Sequence, residues 1–221
     1  MRIIALLLCA PFVCTTGDLR DRHAAHTPIA ALAVRIDSDC LKERLFVDTQ
    51  RSIIHWKGTK FWGMRSHEGI LRLKEGSLTV VDGQIVAGRF VIDMTTIEVT
   101  DIPKSDPVPR KRLRDHLIHE DFFFVKRFPT AVFDITAVRA ESQDRHEMVG
   151  RLTMRGVTHE IRFTSKIPVL TATEMQATAS LSIDRQHWGV AYRGSRLTND
   201  LVDDEIHLQI VLIADRASGR S

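Results

Sequence analysis

The side chains best placed by type and spacing to do chemistry lie between Arg110 and Ile135, in RKRLRDHLIHEDFFFVKRFPTAVFDI. His116 and His119 are three apart, with Glu120 and Asp121 beside them. On a helix that spacing brings two imidazoles to one face, within reach of a shared metal ion. The same pattern also fits the polar end of an exposed helix, the simpler reading. Asp93 and Asp184 each follow an isoleucine in an alternating stretch, and as a carboxylate pair they would suit acid–base work. Singly, Asp93 suits a hydrogen bond that ties a loop, and Asp184-Arg185 suits a charge pair at a strand end. His67, in a glycine-rich segment, suits a hydrogen bond that fixes a bend. His187 and His207 are lone histidines. No Gly-x-Ser-x-Gly elbow, phosphate-cradling glycine loop or Cys/His dyad is present. The residues therefore assign no catalytic group, no metal and no cofactor. A metal-assisted or acid–base hydrolase built on His116, His119 or Asp93 stays open as an alternative.

The elements that would position these groups are mostly strands. Leu113 and Leu117 are four apart and share a helix face, and Pro129 stops any helix before Thr130. Elsewhere apolar residues alternate with period two, the mark of a strand with one buried face. This holds for Ser52–Phe61, Ile70–Leu73, Ser77–Val81, Thr130–Arg139, Met148–Met154, Met175–Asp184 and Glu205–Ala214, with Ile85–Val99 the longest. Asp82-Gly83 and Arg155-Gly156 read as tight turns. Thr100–Pro109, with three prolines, reads as a loop. The pattern predicts an all-β fold: an extended antiparallel barrel of about eight strands with one short inserted helix.

The chain has 221 residues and a formal net charge of +3. That is enough for one all-β domain, placed at residues 41–216, and too little clustered charge for a nucleic-acid partner. A transient contact with a membrane surface remains compatible with the mild positive charge, and a homodimer is left open. Arg2 followed by the apolar run Ile3–Val13 reads as an export signal over residues 1–17, with 18–40 as a linker or arm and a periplasmic or secreted destination. Bulky Phe12 and Val13 argue against lipidation at Cys14. With Cys9 and Cys14 in or beside that signal, only Cys40 would remain, so no internal disulfide is expected.

Several stretches, in order, resemble the YceI-like, polyisoprenoid-binding family. They are Ser52, Trp56, Gly58, Gly63, His67 and Gly69; Gly88, Phe90, Ile92, Asp93, Met94 and Ile97; and Leu113, His116, Leu117, Asp121, Phe122, Phe123, Pro129, Ala131 and Phe133. Gly150, Leu152, Thr153, Gly156, Val157, Thr158 and Ile161 follow, then Ile183, Asp184, Arg185, Trp188 and Gly189, and finally Ile206 and Leu208. The resemblance implies a lipocalin-like extended barrel, export to the periplasm, and a long isoprenoid or similar lipid held inside, with no cofactor and no established reaction. One departure is Phe124-Val125-Lys126-Arg127, where the family carries acidic residues after the double phenylalanine.

Under that reading the ligand-facing candidates are Ile54, Trp56 and Leu71; Phe90, Ile92 and Met94; Leu117 and Phe122; and Phe133, Phe163, Leu181 and Ile183. Periodicity alone does not separate a hollow from a filled core, so a structural or stress-response module with a solid interior is the other alternative. Energetics suit a carrier or scavenger. Ten buried methylenes gain about 8 kcal/mol over water, and a bilayer offers nearly the same.

Overall fold

The computed structural model describes residues 42–190 and 202–216. The expected export signal, the linker, and Cys9, Cys14 and Cys40 lie outside the described residues. Among the described residues nine strands form one antiparallel sheet: β1 (Lys42–Val47), β2 (Ile53–Lys60), β3 (Arg65–Val81), β4 (Gln84–Val99), β5 (Thr130–Ala140), β6 (Arg145–Met154), β7 (Val157–Leu170), β8 (Glu174–Asp184) and β9 (Val202–Asp215). The helix α1 (Pro107–Ile118) lies between β4 and β5. Strands β2 to β9 pair in a ring that β3–β4 closes, making an eight-position barrel.

The ninth strand adds no position to that ring. Both β1 and β2 pair with β3 and with β9, β1 near Leu78 and Ala214 and β2 near Leu71 and Leu208. They are two halves of one wall strand, broken at residues 48–52. Asp48 holds the break by accepting from the N–H groups of Gln50 and Arg51. Buried Ser52 repairs the ladder: its hydroxyl donates to the Ile213 carbonyl and accepts from the Ile213 N–H. Among the described residues, closure leaves the sheet with no long unpaired edge.

Three expectations need correcting. Ile70–Leu73 and Ser77–Val81 are parts of one strand, β3, which at 17 residues exceeds β4 at 16. The register shifts between Leu73 and Glu75, and this bulge reverses the inward–outward phase, so one strand looks like two. Second, α1 begins at Pro107, inside the segment read as a loop. Proline at the first helical position gives up no hydrogen bond that the helix would have made. Third, Arg185 pairs with Asp204 on β9, not with its neighbour Asp184. The turns at Asp82-Gly83 and Arg155-Gly156 do form, with positive φ at both residues of each.

Candidate functional site

The barrel is hollow. A cavity of about 310 Å3 runs inside it, within the usual range for ligand pockets. Its wall extends along β3 from His67 to Leu78, about 36 Å of strand at 3.3 Å per residue before tilt is subtracted. All twelve residues singled out from the sequence line it. Ile54 and Trp56 face in from β2, Leu71 from β3, and Phe90, Ile92 and Met94 from β4. Phe133 comes from β5, Phe163 from β7, and Leu181 and Ile183 from β8. Leu117 and Phe122 come from α1 and the segment after it. Several inward-facing residues on one side, including Ile161, Phe163, Ala179, Leu181 and Ile210, stay only half-buried because they border open space.

Two aromatic rings shape the wall by lying on glycines. A Cβ at Gly69 would sit 1.8 Å from the Glu98 carbonyl oxygen and 2.5 Å from Trp56. A Cβ at Gly150 would meet Phe133 at 2.4 Å. Glycine at these positions lets a large ring stand close to the sheet and leave the axis clear.

Helix α1 lids one end. Arg110 and Arg114, four apart, fasten it to β4 by donating to the carbonyls of Val99 and Ile97, and Arg110 also pairs with Glu98. Leu113 and Leu117, again four apart, face the cavity. Phe122 and Phe123 then meet edge to face at 4.9 Å beneath the helix end. His116 packs against Phe122, with ring centroids 5.4 Å apart, and lines the cavity mouth. It is therefore half-buried, where the sequence pattern suggested an exposed end. Burial pushes its pKa below the ordinary histidine value, with Asp121 pulling the other way and His119 and Lys60 adding to the depression.

The remaining polar candidates hold structure. Asp93 accepts from the Thr95 N–H and hydroxyl, and Thr96 donates to the Asp93 carbonyl. This fixes a bulge after which β4 turns Ile97 inward in place of the even-numbered residues. Asp184 lies on β8 and caps a single 3-10 turn, Arg185–Trp188, by accepting from the Gln186 N–H. Strands β5, β6 and β7 separate β8 from β4 in the ring, so the two carboxylates do not form a pair. His119 bonds Asp121, while His67 bonds Asp101 at 2.8 Å and so ties β3 to the segment after β4. His207 bonds the Ser182 hydroxyl. Among the described residues no three His, Cys, Asp or Glu side chains gather as metal ligands.

Fully buried Arg185 donates to the carbonyls of Val190, Val202 and Asp203 and to the Asp204 carboxylate. Desolvation lowers its pKa, opposed by Asp204, Asp184 and Asp203. Asp203 organises the β2–β3 turn, accepting from the Thr59 hydroxyl and the N–H groups of Trp62 and Gly63. That turn projects Trp62 and Met64, 82% and 74% exposed, at the same end as α1. Wall residues missing from the sequence candidates, such as Ile135, Ile161 and Ile210, follow the same alternation carried one or two steps further, whereas Ile97 faces in only because of the bulge after Met94. Ser165 had no such signal: it faces in, with its hydroxyl donating to the Thr178 carbonyl.

The YceI-like domain family model matches residues 46–214. Two UPF0312 proteins of Pseudomonas putida, from strains GB-1 and W619, are 27% and 26% identical over 114 residues, 52% of this chain and 55% of each relative. The chain thus spans about half the length of these curated relatives. Among solved structures, BcnA of Burkholderia cenocepacia superposes with a TM-score of 0.63 at 17% identity, covering 76% of this chain and 98% of BcnA. A polyisoprenoid binding domain from Saccharophagus degradans gives 0.55 at 17%, covering 77% and 97%. A Campylobacter jejuni YceI protein gives 0.50 at 21%, covering 65% and 82%. At these identities the structural likenesses speak to the lipocalin-type barrel alone.

Proposed function

The chain belongs to the YceI-like domain family, and from that premise we propose that it is an exported lipid-binding protein. It holds a polyisoprenoid or similar long apolar chain in its barrel, as a carrier or scavenger, and does no chemistry on it. The observation that carries this reading is the cavity itself, long, narrow and apolar along the barrel axis. A filled-core module has no use for such a space. The wall offers hydrocarbon about 0.8 kcal/mol per methylene over water, close to what a bilayer offers, so loading and unloading are nearly balanced. The Saccharophagus degradans neighbour is described as a polyisoprenoid binding domain, which supports the choice of ligand class.

Membrane contact belongs to the same reading. Trp62 and Met64 stand exposed on the β2–β3 turn beside Lys60 and Arg65, at the lidded end. An aromatic residue with basic neighbours suits the headgroup region of an anionic bilayer. No described helix is long and apolar enough to cross a membrane. Export rests on the charged-then-apolar pattern of residues 1–17.

The test is native mass spectrometry and lipid extraction of protein purified from its own host. One long apolar chain per barrel is expected. Protein that carries no lipid, and that when delipidated fails to bind geranylgeraniol saturably, would overturn the proposal.

A further inference from the structure

At the lidded end the inner face of the barrel finishes on two cations. Ile54, Trp56, Gly58 and Lys60 share the inward face of β2, and all four line the cavity. Opposite them on β3 stand Leu71, Gly69, His67 and Arg65 in turn, and residues directly opposite in an antiparallel pair share a face. Lys60 and Arg65 therefore stand side by side at the rim, the first half-buried and the second exposed. Like charges set directly opposite each other destabilise a strand pair. A hairpin built for stability alone would carry opposite charges here. The same hairpin does so on its outer face, where Lys57 stands opposite Glu68 and pairs with it at 2.9 Å.

Among the described residues no carboxylate answers either cation with an ion pair, and the Lys60 ammonium lies 5.9 Å from the Phe61 ring. The acids of the neighbouring segments already hold partners. Asp203 accepts from the Thr59 hydroxyl and the Trp62 and Gly63 N–H groups, Asp101 holds His67, and Asp121 holds His119. His116 lines the same mouth from the lid, near enough for the Lys60 charge to help depress its pKa. Among the described residues the other lysine or arginine of the lining is Arg185. It is fully buried and committed to three carbonyls and to Asp204. Lys60 is thus the lining cation left to meet a ligand.

We propose that Lys60, with Arg65 beside it and His116 on the lid, forms a subsite for the anionic head of the bound lipid, a carboxylate or a phosphate monoester whose apolar tail lies in the barrel. This deepens the lipid-binding reading of the same cavity and rests on it. The head stays at the rim, where water still reaches it, so little of its hydration is lost. The tail lies below it among Trp56, Ile54 and Leu71, which line the cavity. An anion between the two cations turns their repulsion into a shared attraction, and a charge-assisted hydrogen bond is roughly twice as strong as a neutral one. The rival is a rim lysine whose stem packs on the wall and whose ammonium serves water or the bilayer alone. It predicts no preference for an anionic head in solution.

The experiment compares geranylgeranyl phosphate and geranylgeranoic acid with geranylgeraniol on the delipidated full chain, by displacement of a fluorescent probe. No membrane is present and each ligand is kept below its aggregation limit, so a preference reports the head of the bound chain and not that of a bilayer. The wild type should bind at least one of the two anions about tenfold more tightly than the alcohol. Lys60→Met should bring that ratio to about threefold or less, and Lys60→Arg, which keeps the charge, should retain most of it. Lys57→Met removes the same charge from the outer face of the same strand and should leave the ratio unchanged. It guards against a general effect of net charge, and Lys60→Arg guards against a folding effect. Equal binding of anions and alcohol by the wild type overturns the proposal. So does an equal loss in the Lys57 and Lys60 variants, or a Lys60→Met protein that keeps the preference and loses only vesicle binding. If none of the three ligands binds any form of the protein, the lipid-binding reading fails and this inference falls with it.

Discussion

Replacing Ala179 by phenylalanine sets a hollow barrel against a filled one, because the two cases differ in sign. Ala179 lies on β8 between Ser165 on β7 and Ile210 on β9, faces inward, and is only half-buried because it borders the cavity. Full burial of a phenylalanine side chain is worth about 1.5–3 kcal/mol. With one face of the ring on the wall and the other toward open space, roughly half of that, about 1 kcal/mol, is the expected gain over alanine. Forcing the same ring into a close-packed core costs about 1–3 kcal/mol instead. With a urea dependence of about 2 kcal/mol per M, Ala179→Phe should raise the unfolding midpoint of delipidated protein by about 0.5 M. It should also lose most co-purifying lipid, since the ring takes a sizeable share of the cavity of about 310 Å3. A midpoint that falls by 0.5 M or more (on the same slope), with lipid content unchanged, would refute the hollow-barrel reasoning.

Two further outcomes test the mouth. Trp62→Asn removes the exposed ring at a left-handed position, φ 55°, that asparagine tolerates; binding to anionic vesicles should weaken about fivefold, roughly 1 kcal/mol, with the urea midpoint unmoved, and full vesicle binding by the variant would remove the turn from the docking surface. For His116 the folded pKa lies below the ordinary histidine value of about 6.5 that the unfolded chain keeps, so between the two the unfolded chain takes up the proton that the folded state refuses. Its contribution to stability is therefore full above about 6.5 and declines as pH falls from there to the folded pKa. Urea midpoints across that range should fall less steeply in His116→Gln than in the wild type, and parallel curves would show that His116 titrates normally.

Much of the wall was legible because its signal is local. In an extended chain side chains alternate faces, so Phe90, Ile92 and Met94, or Leu181 and Ile183, declare a common face with no knowledge of partners. The same locality fails wherever the backbone slips by one residue. The bulge after Leu73 made β3 look like two strands, and the bulge that Asp93 holds after Met94 turned Ile97 inward against the count. Asp93 itself drew attention as a possible acid because a carboxylate beside a buried isoleucine looks the same in sequence whether it braces a bulge or moves a proton. His116 was misplaced for a related reason. Read together with His119 it looked like part of a polar helix end, although i, i+3 and i+4 put His116 on the same face of α1 as Leu113 and Leu117, where Phe122 packs on it.

By itself the sequence determined which residues alternate, where the tight turns fall and where one helix interrupts the strands, since each depends on residues within a few positions of one another. The tertiary structure decided that the inward faces do not meet. That outcome depends on β3 closing onto β4, on β1 and β2 sharing one place in the wall, and on Trp56 and Phe133 lying close against Gly69 and Gly150. These are distances between segments far apart in the chain, and no local period encodes them.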